Sequence, residues 1–200
     1  MLHFLAYERE NGRRHPEWEQ KMKNMLDILL QLQHEDGSFP RKFHDDFTIV
    51  DNSGGSTPSA TLPLIMGYKY FKDKRYLASA KRTADYLEKV LISKADYFSS
   101  TLDANCEDKE ASLYAATATY YLSLITKGDE HRHYADLTRK AAYFALSWYY
   151  VWDVPFAQGQ MLGDIGLKTR GWGNVSVENN HIDVFVFEFA SVLQLSLIHI

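Results

Sequence analysis

The chain has few of the features that mark several common functional classes. Its single cysteine, Cys106, excludes an internal disulfide and any site built from paired thiols. No apolar run reaches the length of about 18 residues that a membrane-spanning helix needs. The net charge of -4 provides no basic surface for nucleic acid or for an anionic membrane. The composition, 46% hydrophobic and 24% charged, predicts a soluble globular protein.

Both ends of the sequence bear on its domain organisation. The N-terminal segment MLHFLAYERENGRRH lacks the basic-then-apolar order of a signal peptide, and the sequence leaves the compartment open. The chain stops inside the apolar run VFVFEFASVLQLSLIHI without a cap, glycine or proline. We therefore expect residues 1–200 to form one incomplete domain. Residues 195–200 have two interpretations, the end of a helix and a non-native tail that resembles a translated sequencing adapter.

Hydrophobic periodicity predicts an all-α protein with two kinds of helix. Charged amphipathic helices are predicted over residues 17–33, 74–92 and 133–150, and nearly uncharged helices over 58–71, 109–126 and 183–197. Two layers of helices account for this alternation, because an inner helix presents no face to water. The connections alternate as well, and the long ones gather nearly all the glycines at one face, where we expect the functional site.

Acidic residues are concentrated just before the uncharged helix 109–126. Asp103, Glu107, Asp108 and Glu110 precede or open it, and carboxylates at a helix start often serve only as caps. Four acids exceed what a cap requires, so Asp103 and Glu107 are candidate catalytic residues. His181 and Asp183 close the next long loop and are the second pair of candidates. We expect all four to converge on one cleft, because neighbouring inner helices stand about 8–10 Å apart.

Candidate substrate-binding residues lie in the same loops. Trp172 is flanked by glycines, so its indole can lie flat against a sugar ring, and Arg170 offers paired donors. The alternative is that Trp172 only plugs the loop into the rim of the domain. Asp51 and Asn179 complete the set. The spacing of Asp51 and its following serines resembles a calcium loop without the later acidic ligand, so no metal and no cofactor are predicted.

Four segments carry a resemblance to a known superfamily: DGSFP, DNSGGSTPSATL, TLDANCEDKEA and TRGWGNVSVENNHID. With the helical hairpins, and with aromatic Trp18, Tyr76 and Tyr134 spaced 58 residues apart, they resemble the six-hairpin (α/α)6-toroid glycosidases over about residues 16–194. The resemblance implies a partial toroid, with six of twelve helices visible, whose partner is the remainder of its own barrel. It transfers no residue roles.

Three functions follow as expectations. The first is a glycoside hydrolase that cleaves an oligo- or polysaccharide with paired carboxylates. The second is a polysaccharide lyase acting on a uronate-containing glycan, with His181 or Tyr97 as base and Asn179 or Arg170 neutralising the uronate. The third is a non-catalytic carbohydrate-binding or scaffold toroid. The predicted partner is a carbohydrate substrate, and no nucleic acid is expected.

Overall fold

The computed structural model of the protein describes residues 1–53, 57–98, 107–174, 182–183 and 189–198. Most of these residues are helical, so the fold class is all-α, as the sequence predicts. The α-helices are α1 (Leu2–Glu10), α2 (Pro16–Leu32), α3 (Thr57–Phe71), α4 (Lys74–Tyr86), α5 (Lys109–Ile125), α6 (Gly128–Leu146), α7 (Met161–Asp164) and α8 (Phe189–Ile198). A π-helical segment, Leu87–Ile92, continues α4.

Local signals in the sequence explain where several helices begin. Pro16 occupies the first turn of α2, where its missing N–H costs nothing. The side chain of Asp73 accepts a hydrogen bond from the backbone N–H of Arg75 and caps α4. Asp108 caps α5 in the same way through Glu110. Each cap satisfies a backbone donor that the helix itself cannot pair.

Burial follows the predicted order for α3 and α5 but not for α8, in which Val192 is buried whereas Ala190, Ser191 and Gln194 are exposed. Helix α5 is buried at most positions from Lys109 to Ser123, and α3 at about half of its positions, including Leu64 and Ile65. Helices α4 and α6 bury one face, and α2 buries only Leu26. The uncharged helices α3 and α5 therefore form the interior of the described part of the chain.

The helix contacts place α5 at the centre. It packs most extensively against α6, and it also contacts α3 and α8. Helix α3 packs mainly against α4, and α2 contacts both α3 and α4. Each uncharged helix thus contacts the next uncharged helix along the chain, α3 with α5 and α5 with α8. In addition, α3 packs against the charged helix α4, and α5 packs against the charged helix α6.

Two short antiparallel hairpins lie in connections where the sequence analysis expects only loops. Strand β1 (Lys42–Phe43) pairs with β2 (Ile49–Asp51), and β3 (Gly173–Asn174) pairs with β4 (Ile182–Asp183). Strands of two or three residues are too short to show the alternating pattern by which strands are recognised. The hairpins tie down the long connections that precede α3 and α8.

The structure corrects several predicted helix boundaries. Residues 2–10 form the unpredicted helix α1, and α6 begins at Gly128 instead of residue 133. The last helix was expected to begin at Asp183, but Asp183 lies in strand β4, where it pairs with Gly173, and α8 is described from Phe189. Hydrogen bonding to another strand overrides the local apolar pattern at this position. Among the residues described, none of the helices is long and apolar enough to span a membrane.

Candidate functional site

The first part of the candidate site is the N-terminal end of α5. The backbone N–H of Asp108 donates to the carbonyl of Tyr97 at 2.9 Å, and Phe98 forms a β-bridge with Glu107. The two ends of the connection between the π-helical segment and α5 are therefore held together. Asp108 is buried and caps α5, so among the clustered acids it has the structural role. Glu107 lies immediately outside the helix.

The carboxyl group of Glu107 sits in an unusual environment. Burial raises its pKa, and the neighbouring Asp96 raises it further through its negative charge and a side-chain hydrogen bond. One opposing contact comes from the backbone N–H of Tyr97, which donates to Oε2 of Glu107 at 3.0 Å. A nearby negative charge disfavours ionisation of a carboxyl group, so Asp96 and burial act on Glu107 in the same direction. Glu107 therefore holds its proton to a higher pH than an exposed glutamate does.

The connection between α2 and α3, which is the first long connection of the chain, includes the acid Asp36. Burial raises the pKa of Tyr86, and the charges of Asp36 and Asp96 raise it further, which places these two acids near the same ring. Asp36 accepts hydrogen bonds from the backbone N–H and the hydroxyl of Ser38, at 2.9 and 2.6 Å. Nδ1 of His34 lies 2.9 Å from the Ser38 hydroxyl. The DGSFP segment is thus a hydrogen-bonded turn, and Asp36 is close enough to Tyr86 to raise its pKa.

The connection between α6 and α8, which is the third long connection of the chain, contacts α5 at Gly173. Gly173 pairs with Asp183 in the β3–β4 hairpin and forms a β-bridge with Tyr149 on its other side. A Cβ atom at Gly173 would lie only 3.0 Å from Nζ of Lys109, so the strand rests directly on this side chain. A side chain at this position would require Lys109 or Tyr149 to shift by a few tenths of an ångström.

Lys109 brings a buried positive charge to this place. Its side chain is fully buried in the first turn of α5, with Nζ 5.8 Å from the centre of the Tyr149 ring. Burial of an ammonium group is costly unless other groups compensate its charge, and Lys109 does make further polar or electrostatic interactions. It follows Glu107 and Asp108 directly in the sequence, and its ammonium group lies beneath Gly173.

Trp172 and Arg170 lie on the segment that leads into β3. The carbonyl of Trp172 accepts a hydrogen bond from the backbone N–H of Tyr150 at 2.9 Å, and its side chain is partly exposed. The backbone N–H of Arg170 donates to Asp153, and Nη2 lies 3.6 Å from the same carboxylate. These contacts and Lys168 hold the pKa of Asp153 below its usual range. The guanidinium of Arg170 is exposed, within reach of a ligand.

An apolar cleft of about 460 Å³ begins beside Arg170. It is bordered by the end of α6, the segment that follows it, and the first turns of α8; its lining residues are Leu146, Tyr149, Tyr150, Val151, Arg170, Gly171, Ala190 and Leu193. The cleft is in the size range of small-ligand sites. Its lining residue Gly171 directly precedes Trp172 and Gly173 in the chain.

The carboxylate of Asp51 forms contacts within its own loop. Its side chain accepts a hydrogen bond from the backbone N–H of Ser53 at 2.9 Å, and Nη1 of Arg41 lies 3.5 Å from its other oxygen. The contact with Ser53, and then Arg41, lower the pKa of Asp51. Ser53 and Arg41 thus already contact this carboxylate within its own loop. The assignment of Asp51 to substrate binding stays a prediction.

The convergence of the candidate residues on one cleft stays a prediction. Glu107 is next to the buried pair Asp108 and Lys109, Lys109 supports Gly173, and Gly173 links Trp172 to the backbone of Asp183. Asp103, His181 and Asn179 lie outside the described residues, so their place in the cleft stays a prediction.

Sequence reasoning missed two residues of this region, Asp96 and Lys109. Lys109 carried a usable signal, because it is the one basic residue among the acids Glu107, Asp108 and Glu110. Asp96 carried none, since it lies in an ordinary polar connection. The described side chains contain no group of three residues suited to hold a metal ion.

Comparison with known proteins adds no assignment. No family model matches the chain, and no solved structure matches it.

Proposed function

We propose that the protein is a glycoside hydrolase that acts on an oligo- or polysaccharide at the loop end of α5. The observation that carries this proposal is the carboxyl pair of Glu107 and Asp96, in which burial and the neighbouring charge raise the pKa of Glu107. A glycosidase needs a carboxyl group that retains its proton and donates it to the leaving oxygen. Glu107 is assigned this role.

The second carboxylate must come from another segment. In glycosidases the two catalytic carboxyl groups flank the scissile bond at about 5–10 Å from each other. Asp96 is a close neighbour of Glu107 and raises the pKa of Glu107, so we assign it the role of favouring the protonated form of Glu107 and not that of the second carboxylate across the substrate. The base or nucleophile is then Asp183, whose strand lies beside Gly173, or Asp103 on the connection that leads to Glu107.

The proposed substrate is a carbohydrate that rests on Trp172. The partly exposed indole offers an apolar face for a sugar ring, and the exposed Arg170 offers hydrogen-bond donors to its hydroxyl groups. Asn179 and Asp51 are the further binding residues of this proposal. Steric support comes from the β3–β4 hairpin, which fixes the segment that carries Trp172.

We also propose that the helices belong to an (α/α)6 toroid of hairpins. Support comes from the contacts of the uncharged helices with one another, α3 with α5 and α5 with α8, and from the charged helices α4 and α6 that back them. In this arrangement the long connections open at one end of the helices, and the remainder of the barrel is the partner of α8.

The lyase alternative receives less support from the described residues. The Tyr97 ring is almost completely buried and packs 4.4 Å from the ring of Phe144. Burial raises the pKa of Tyr97, which disfavours the phenolate that a base would require. His181 then remains as the base of an elimination reaction.

The hydrolase proposal is tested with Glu107→Gln and Asp96→Asn. After a screen of neutral and uronate-containing glycans, Glu107→Gln should lower kcat on the active substrate at least about 100-fold, because the proton donor is lost. Asp96→Asn removes a negative charge and thereby lowers the pKa of Glu107. Since the acid must be protonated, the alkaline limb of the pH–rate profile should move to lower pH.

Asp85→Asn, an exposed acid on α4, is the control and should leave the profile unchanged. Asp103→Asn and Asp183→Asn, assayed in parallel, identify the second carboxylate by the larger loss of kcat. Near-normal turnover of Glu107→Gln would remove Glu107 from the mechanism. An absorbance increase from an unsaturated product would identify a lyase, and the absence of activity on every glycan would favour a binding or scaffold role.

A further inference from the structure

A second cavity, of about 350 Å³, lies at the opposite end of α3 from the candidate site. The N-terminal end of α3 faces the first long connection, where the hydroxyl of Thr57 accepts a hydrogen bond from Phe39. The 15 residues of α3 span about 20 Å. The cavity is formed by one face of α1 and the last turn of α3; its lining residues are Leu2, His3, Ala6, Arg9, Glu10, Met66, Lys69, Tyr70 and Lys72.

Positive charge dominates the lining. Arg9, Lys69 and Lys72 face the cavity together with one acid, Glu10. In the part of the chain that the structure describes, Lys69 and Lys72 form no ion pair, so their charges are not neutralised by carboxylates. Charges that converge on a concave surface create a local positive potential, which attracts anions.

Arg9 is fixed in place by three contacts. Its guanidinium carbon lies 3.6 Å from the centre of the Tyr70 ring, Nη1 donates to the carbonyl of Tyr70 at 3.3 Å, and Nη2 lies 3.7 Å from Glu19. A pre-organised guanidinium loses little conformational entropy when an anion binds. Arg9 also holds α1 against α3, so it is unsuitable as a first test variant.

Lys72 occupies a position where glycine would be the unstrained choice. Its φ is 60°, and its backbone N–H donates to the carbonyl of Tyr68 at 2.8 Å, which ends α3 in the left-handed conformation. Glycine is the usual residue at this position because it has no Cβ. The lysine therefore costs backbone free energy and places an ammonium group at the cavity, and strain of this kind is concentrated at functional sites.

We propose that this cavity binds a phosphate dianion, either free or as the phosphate group of a small ester. Lys69 and Lys72 supply most of the charge complementarity, because Arg9 also faces Glu19, and the apolar side chains of Leu2, Ala6 and Met66 leave room for a small organic group beside them. This site is independent of the glycosidase proposal, because the two lie at opposite ends of α3. The simpler explanation, that the lysines only offset the dipole of α3, requires no binding of anions.

Isothermal titration calorimetry with inorganic phosphate and with sn-glycerol 3-phosphate tests the proposal, and glycerol is the neutral control. Lys69→Gln and Lys72→Gln should each weaken phosphate binding about tenfold, because each removes a charged donor. Glu10→Gln should tighten binding, since it removes the one acid of the lining. Lys74→Gln, an exposed lysine outside the cavity, should leave affinity unchanged. Equal affinity for the two ligands identifies free phosphate, and tighter binding of the ester identifies a phosphate monoester.

The variant Lys72→Gly distinguishes a role of Lys72 in phosphate binding from a role in the stability of α3. Relief of the left-handed strain should raise Tm by about 2–4 °C, while loss of the ammonium should weaken phosphate binding about tenfold. If the lysine only stabilises the end of α3, Lys72→Gly changes Tm without changing affinity. Equal affinity of Lys69→Gln, Lys72→Gly and the wild-type protein, or no heat of binding with either phosphate compound, would overturn the proposal.

Discussion

At the scale of single residues, Glu19 organises the N-terminal part of the molecule. Its carboxylate accepts two hydrogen bonds from Arg14, at 2.7 and 2.6 Å, and one from the hydroxyl of Tyr70 at 2.8 Å, and it lies 3.7 Å from Arg9. These groups come from α1, α2, α3 and the link between the first two helices. Glu19 thus joins three helices through one side chain that is 12% exposed.

We predict that Glu19→Gln destabilises the fold in a pH-dependent manner. The hydrogen bonds from Arg14, and then from Tyr70, lower the pKa of Glu19 from 4.5 to about 2. A shift of this size corresponds to at most about 3 kcal/mol, which screening of the exposed arginines reduces to about 1–2 kcal/mol. Because the folded-state pKa is depressed, this stability is present above pH 4.5 and is lost as pH falls towards 2.

Urea denaturation of wild type and Glu19→Gln from pH 7 to pH 2 measures this difference. The gap in unfolding free energy should be largest at pH 7 and should close at the acid end. Glu17→Gln changes an exposed acid two residues away on the same helix and is the control. A gap that is independent of pH would show that Glu19 acts through packing alone.

At the scale of elements, the DGSFP turn is anchored to α4 by close backbone contact. Gln33 donates to the carbonyls of Gly37 and Ser79 and to the hydroxyl of Thr83, at 3.0–3.1 Å. Gly37 has a φ of 91°, and a Cβ on it would lie 2.1 Å from the carbonyl oxygen of Arg82. The turn therefore depends on glycine for both its conformation and its distance from α4.

Gly37→Ala and Gly12→Ala separate these two contributions. Gly12 has a φ of 76°, and a Cβ on it would meet no other atom within 4 Å, so alanine there costs only the left-handed strain of about 1 kcal/mol. Gly37→Ala adds a backbone clash and should cost about 3 kcal/mol or more. Thermal and urea unfolding measure both variants. Equal costs would mean that the turn can move away from α4 freely.

At the scale of the whole molecule, the cleft beside α8 leaves apolar surface open. Val151 in its lining is 70% exposed, and Leu193 of α8 contributes to the same opening. Contiguous apolar surface of this kind favours association. We therefore predict that the chain self-associates in a concentration-dependent manner.

Sedimentation velocity over a range of protein concentrations tests this prediction. The double variant Val151→Asp, Leu193→Asp should weaken association at least about tenfold, since it buries charge in the contact. Met161→Asp is the control, because Met161 is 75% exposed but lies outside the cleft. A wild-type protein that remains monomeric at all concentrations would contradict the prediction.

The sequence by itself determined the fold class and the burial of α3 and α5 relative to the charged helices, but not that of α8, where Ala190, Ser191 and Gln194 are exposed. The uncharged surfaces of α3 and α5 have no favourable contact with water, so their burial follows from composition. Local chemistry also fixed several helix starts, as at Pro16 and Asp73, because a cap depends only on residues within one turn. Glu107 was recognised as a candidate because its acidity and its position before α5 are both local features.

The tertiary structure decided which groups meet. The pairing of Asp96 with Glu107 and the contact of Lys109 with Gly173 join residues from separate loops and helices, and no periodicity encodes such contacts. The same holds for Asp183, which strand pairing with Gly173 removes from the predicted helix. The phosphate-site proposal likewise rests on the packing of α1 against the end of α3. Local patterns set which surfaces are buried, whereas distances between distant segments depend on how the helices pack.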